Sequence, residues 1–88
     1  MTTDGLSRAD VLQKVREHLS AELEIPLEQI REETRLREDL DADSLDLYEL
    51  VMELEDTYGL SVSEEEAADI ETVGDAVNFV AGRLGAAA

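Results

Sequence analysis

Apolar residues recur at helical spacing in four stretches of the chain, and the pattern breaks between them. Val11, Leu12, Val15, Leu19 and Leu23 follow the three-and-four rhythm of one helix face. Ser7 with Asp10 ahead of them resembles a capping box, and Ile25-Pro26 stops the run, because proline lacks a backbone donor and pushes the preceding residue out of helical conformation. From Pro26 to Asp41 only scattered apolar anchors remain, Leu27, Ile30, Leu36 and Leu40, with one turn of helix expected around Leu27 to Ile30. A second helix is predicted from about Ser44 to Tyr58, closed by Gly59, which takes the left-handed conformation without a steric penalty. Ser63 with Glu66 opens a short third helix through Ala67 and Ile70. Thr72 with Asp75 opens a fourth, carried by Val73, Ala76, Val77, Val80 and Leu84. The expected fold is all-α: a four-helix bundle with a short third helix and a long loop between helices one and two. One domain spans 1–88, with its core at about 7–84 and a frayed tail at 85–88.

The second helix carries two stripes. At about 100° per residue, Leu47, Leu50, Val51, Leu54 and Tyr58 share one arc, the predicted core face. Leu45, Tyr48 and Met52 fall on a separate flank, interleaved with Glu49, Glu55 and Asp56, while Asp46 and Glu53 continue the acidic surface. Isolated exposed apolar residues are ordinary. An apolar stripe edged with acids suits docking onto a basic patch with an apolar dimple.

Composition narrows the possible functions. Aromatics make up 3% of a chain that is 43% hydrophobic, so aliphatic side chains must build the core, and 88 residues leave little room for an enclosed active site. The formal net charge of −16, from 23 acids against 7 bases, opposes binding to nucleic acid or to an anionic membrane surface. From Glu38 to Gly82 there is no Lys or Arg, which concentrates negative charge around the second helix. With no Cys, disulfides and thiolate metal sites are excluded. The first ten residues lack the charged and apolar segments of a signal peptide, and no apolar run approaches a membrane span, so a cytoplasmic location is expected.

Candidate chemistry centres on Asp39 to Asp46, "DLDADSLD". Asp39, Asp41 and Asp43 match the opening of a calcium-binding loop, but the sixth position is Ser44 rather than Gly and the twelfth is Leu50 rather than Glu, so no metal site is expected. A nucleophilic Ser44 needs a base, and the only histidine, His18, lies in the first helix; no catalytic residue is expected. As a helix start the stretch is sound. Asp43 suits the N-cap, and Asp46 places its charge near the positive end of the helix dipole. Ser44 then becomes the first helical residue, its hydroxyl open to solvent beside backbone N–H groups without intrahelical partners.

The stretch "LDADSLDLYELVMELEDTYGLSVSEEEAADIETVGDAVNFV", Leu40 to Val80, closely resembles the bacterial acyl carrier proteins, and the likeness extends more weakly through the first helix and "IPLEQI". The resemblance implies a non-enzymatic carrier whose Ser44 receives 4'-phosphopantetheine from coenzyme A through a phosphopantetheinyl transferase. Growing fatty-acyl chains would be held as thioesters and delivered to the enzymes of fatty-acid synthesis; a discrete carrier for polyketide or other specialised-metabolite biosynthesis is the alternative. The implied partner-binding residues are Leu45, Asp46, Tyr48, Glu49, Met52, Glu55 and Asp56. The implied acyl pocket is Leu36, Leu47, Leu54, Val62, Ala67, Ile70 and Ala76, and a monomer is expected. Two positions depart from the family pattern. Asp41 stands where Gly is usual, and Tyr48 where a small aliphatic residue is more common.

Overall fold

The computed structural model describes residues 7–85. Four helices follow one another, α1 (Arg8–Leu23), α2 (Ser44–Tyr58), α3 (Glu64–Ala68) and α4 (Val73–Leu84), with a single 3-10 turn at Leu27–Gln29 in the connection from α1 to α2. Among the described residues the only extended pairing is an isolated bridge between Arg35 and Thr72.

Each helix begins on a reciprocal capping box. Ser7 pairs with Asp10, Asp43 with Asp46, Ser63 with Glu66 and Thr72 with Asp75, each cap side chain accepting from the third helical N–H while the acid accepts from the cap N–H. Two of the four otherwise orphaned groups at each start are thereby satisfied, a contribution of about 1 kcal/mol per cap. The helix ends are less uniform. α2 stops at Gly59 with φ 65°, the expected glycine. α1 stops at Glu24 with φ 57°, a left-handed position filled without glycine. Ser20 holds that end: its carbonyl accepts from both Glu24 N and Ile25 N, and its hydroxyl donates to Ile25 O. The third helix was expected to run through Ile70 and instead ends at Ala68. The Ile70 N–H bonds to Ala67 O across a tighter turn, which drops the Ile70 side chain, 8% exposed, into the core.

Val11, Val15 and Leu19 of α1 meet Leu50 and Leu54 of α2 and Val73, Val77 and Val80 of α4 in one aliphatic core. α1 packs most extensively along α4 and less so along α2. Burial of each of these side chains contributes roughly 1.5–3 kcal/mol before conformational entropy is subtracted.

The long connection is ordered by two devices. Ile30, Leu36, Leu40 and Ala42 are buried, anchoring it to the core. Its backbone is then tied to the start of α4: Leu36 N donates to Glu71 O, Val73 N to Thr34 O and Gly74 N to Glu32 O at 2.8–3.0 Å. Side chains close the remaining gaps. Arg16 of α1 donates to Leu27 O and Ile30 O, and Arg8 makes a bidentate pair with Glu32 while its Nε donates to Asn78 of α4. The guanidinium of Arg8, through these bonds, holds the Glu32 carboxyl below its ordinary value. Fixing this connection fixes where α2 begins.

Candidate functional site

Immediately before α2 the chain makes a tight reversal. Asp39 N and Leu40 N donate to Arg35 O, Ala42 N donates to Leu36 O, and Asp41 takes φ 60°. Aspartate is among the few residues other than glycine that tolerate this left-handed backbone, so the turn forms with Asp41 in place of a glycine. Asp39 is engaged locally. Its carboxylate accepts from Arg35 N at 2.8 Å and lies 3.5 Å from the Arg35 guanidinium, and these contacts, the backbone hydrogen bond first, lower its pKa. Asp43 caps α2 through Asp46 N at 2.9 Å and receives the Asp46 carboxylate on its own N–H. The aspartates that resemble a calcium loop are therefore spread over a turn, a cap and an exposed Asp41. Among the described residues no group of three or more His, Asp or Glu is disposed to hold a metal ion.

Ser44 is the first residue of α2 and is exposed. The hydrogen bonds that close the turn run between Asp43 and Asp46, and among the described residues its hydroxyl makes none. Asp46 N and Leu47 N are satisfied by Asp43, whereas the N–H groups of Ser44 and Leu45 point out of the first turn without intrahelical partners. His18 sits half-buried on α1, its Nε2 atom buried without a hydrogen-bond partner, and lines neither of the cavities beside Ser44.

Ser44 borders a cavity of about 160 Å³ lined by Arg37, Leu47, Tyr48, Leu50, Val51, Ala67, Ala68 and Ile70. A second hollow of about 360 Å³ shares Arg37, Leu47, Ala67, Ala68 and Ile70 with it and adds Glu38 and Glu71. Together they form a cleft between the end of the connection, the inner flank of α2 and the short α3. Of the residues expected to form an acyl pocket, Leu47, Ala67 and Ile70 line this cleft. Leu36, Leu54 and Ala76 lie instead in the closed core at 0–1% exposure, and Val62 is half-buried outside the cleft. Leu50, Val51 and Ala68 line the cleft as well. The angular position of Leu50 and Val51 on the core arc beside Leu47 was the available signal. For Ala68 there was only its small size in "EEEAAD".

The outer flank of α2 matches the second stripe. Leu45, Tyr48 and Met52 are 63%, 62% and 51% exposed, the large apolar side chains most open to water among the described residues. With Glu49, Glu53, Glu55 and Asp56 they border a shallow groove along the helix. The acids on this flank differ in what they touch. Asp56 is exposed, whereas the Glu55 carboxylate accepts from Val62 N at 2.8 Å and clasps the turn after α2. Asp46 and Glu49 are half-buried beside Glu22 of α1. The Glu22 carboxyl is held above its ordinary value, first by a hydrogen bond with Glu49, then by burial and by the charges of Glu49 and Asp46.

Residues 13–80 match the protein family described as the phosphopantetheine attachment site. The chain is 44% identical over 75 residues to an acyl carrier protein of Rubrobacter xylanophilus, which covers 85% of this chain and 93% of that one. It is 36% identical over 80 residues to an acyl carrier protein of Lactobacillus acidophilus, covering 91% and 100% respectively. Among solved structures, that of an acyl carrier protein from Enterococcus faecalis matches with a TM-score of 0.76 at 40% identity, over 88% of this chain and 98% of that chain. The fold and the matched segment define a phosphopantetheine-carrying domain, and within that class the chain belongs to the acyl carrier proteins. Its cofactor is 4'-phosphopantetheine, covalently attached.

Proposed function

We propose that Ser44 is the attachment point of the phosphopantetheine arm and that the protein carries growing fatty-acyl chains between the enzymes of fatty-acid synthesis without catalysing a step itself. The observation that carries this reading is the position of Ser44, with an exposed and unused hydroxyl at the first residue of α2, on the rim of an apolar cleft. Open N–H groups at the helix start favour an anion on that hydroxyl. The arm, when bound, supplies a terminal thiol that holds acyl groups as thioesters. The chain's own residues bind and present. Leu47, Leu50, Val51 and Ile70 offer apolar walls to a short acyl chain, while Leu45, Tyr48 and Met52 with Asp46, Glu49 and Asp56 offer partners an apolar stripe framed by charge. Glu55 belongs to the same face and also holds the turn at Val62.

The partners that fit are a phosphopantetheinyl transferase and synthase enzymes with basic docking patches, met by a monomer in the cytoplasm. Among the described residues no helix is long and apolar enough to cross a membrane. Incubation with coenzyme A and a broad-specificity transferase should add the mass of one arm to the wild type and nothing to Ser44→Ala. Absence of a gain in the wild type overturns the reading. Loading by the malonyl transferase of fatty-acid synthesis, followed by elongation with its condensing enzyme, tests the pathway, and failure of both assigns the carrier to specialised metabolism.

A further inference from the structure

The seven cations of this chain are unequally employed. Arg8 is tied to Glu32 and Asn78, Arg16 to the carbonyls of Leu27 and Ile30, Arg35 to Glu38 and Asp39, and Arg83 to Ser61 O and Glu66. Arg37 is exposed and makes no hydrogen bond or ion pair among the described residues. It is also the last cation before the stretch from Glu38 to Gly82 that holds none. Its place in the fold is specific: among the described residues it is the one cation lining the cleft, it borders both parts of it, and it shares the smaller cavity with Ser44. An unpaired guanidinium beside the attachment hydroxyl, on a chain of net charge −16, is a site for an anion.

We propose that Arg37 is a positioning residue that pairs with the phosphodiester on Ser44. This rests on the reading of Ser44 as the attachment point. A phosphodiester there carries one negative charge among Asp39, Asp41, Asp43 and Asp46, all of which repel it. The favourable contacts within the same rim are the open N–H groups of Ser44 and Leu45 and the fork of Arg37. Pairing with Arg37 draws the first bonds of the arm toward the mouth of the cleft and away from the acidic outer flank of α2. Arg37 thus sets the direction in which the arm leaves the protein, inward for cargo storage, and a partner offering its own cations to the phosphate would release it outward. The flexible side chain of an exposed arginine suits a contact that must form and break.

The test uses full-length wild type, Arg37→Gln and Arg37→Lys, each converted to the phosphopantetheine form and checked by intact mass. Nitrogen-15 spectra follow the Arg37 side-chain signal, assigned by its loss in Arg37→Gln, and phosphorus-31 spectra follow the diester. At low salt, adding the arm should shift the Arg37 signal. The phosphorus resonance should differ between wild type and Arg37→Gln, with Arg37→Lys intermediate, and the difference should shrink toward zero at molar salt. If all three proteins accept the arm and the phosphorus resonance is the same in each, the pairing is overturned while Ser44 stands. If the Arg37 signal moves only after loading with a malonyl group, and not with the bare arm or an acetyl group, Arg37 reads a carboxylate on the cargo and the proposal falls. If no protein accepts the arm, the reading of Ser44 falls and takes this inference with it.

Discussion

Asp41 shows how one residue can hold a site in place without touching its chemistry. Its φ of 60° turns the chain from the buried Leu40 into the Asp43 cap, and the orientation of Ser44 depends on that turn. A left-handed residue with a Cβ costs roughly 1–2 kcal/mol, less for Asn and Asp, whose side chains bond locally. Asp41→Asn should therefore leave stability within about 0.5 kcal/mol of wild type at moderate salt, since the backbone preference is kept and one charge is lost. A β-branched replacement meets the full penalty, and Asp41→Val should cost about 1–2 kcal/mol in chemical denaturation. Equal stability of the valine variant would show that the position is not left-handed. Glu24 makes the same point from the other side. Nothing in "LEIP" marks a left-handed residue, because the device that stabilises it, the triple use of Ser20, is a property of the finished helix end rather than of residue type.

Helix starts were legible in the sequence because a cap is local, both partners lying within four residues: the pairs read at Ser7, Ser63 and Thr72 and the cap read at Asp43 all formed, the last as a full reciprocal box with Asp46. The connection was legible only in part: the anchors Ile30, Leu36 and Leu40 and the single turn at Leu27–Gln29 could be read, but the backbone bonds to Glu71, Val73 and Gly74 that tie it down could not, being more than thirty residues away and independent of side-chain identity. The cleft was half legible for the same reason. Helical angle places Leu47, Leu50, Val51 and Leu54 on one arc, but that the first three face a cavity and Leu54 the closed core depends on where α3 ends. Gly74 marks the crossing of α4 with the connection. A Cβ there would stand 3.1 Å from Glu32 O, a carbonyl held by the Gly74 N–H itself at 2.8 Å, whereas a Cβ on Gly82 meets nothing within 4 Å. Both glycines are helical, so alanine gains up to about 1 kcal/mol of helix propensity at either. Gly82→Ala should stabilise the protein by a few tenths to about 1 kcal/mol, and Gly74→Ala should destabilise it; thermal melts of the two variants check the contrast. Between α1 and α2 the Glu22 carboxyl, raised by Glu49, gives a pH test. A carboxyl whose folded pKa lies above its unfolded value near 4.5 favours the folded state at low pH, and that advantage is lost as pH rises through the folded value. Glu22→Gln should consequently raise the melting temperature at pH 7 and do little at pH 4, and an equal effect at both would remove the repulsion argument.

Across the whole molecule, two electrostatic effects compete. Sixteen uncompensated negative charges repel one another over a small surface, while the arginines tied to Glu32, Glu38, Asp39 and Glu66 pull parts of the chain together. Added salt weakens both. The exposed pairs contribute little each and include hydrogen bonds that salt does not remove, whereas the repulsion sums over many pairs at separations near the Debye length of about 10 Å at 0.1 M. Repulsion should dominate, and raising sodium chloride from low millimolar to molar concentration should raise the melting temperature. A net gain of only about 1 kcal/mol would move the midpoint of a domain this size by about 4–8 °C, well within measurement. Magnesium at equal ionic strength should act at least as strongly, because a divalent ion neutralises neighbouring acids at a smaller entropic cost than two monovalent ones. A flat or falling midpoint would mean that the capping and arginine bonds already compensate the acids, and the charge around α2 would then owe nothing to a balance between stability and partner attraction.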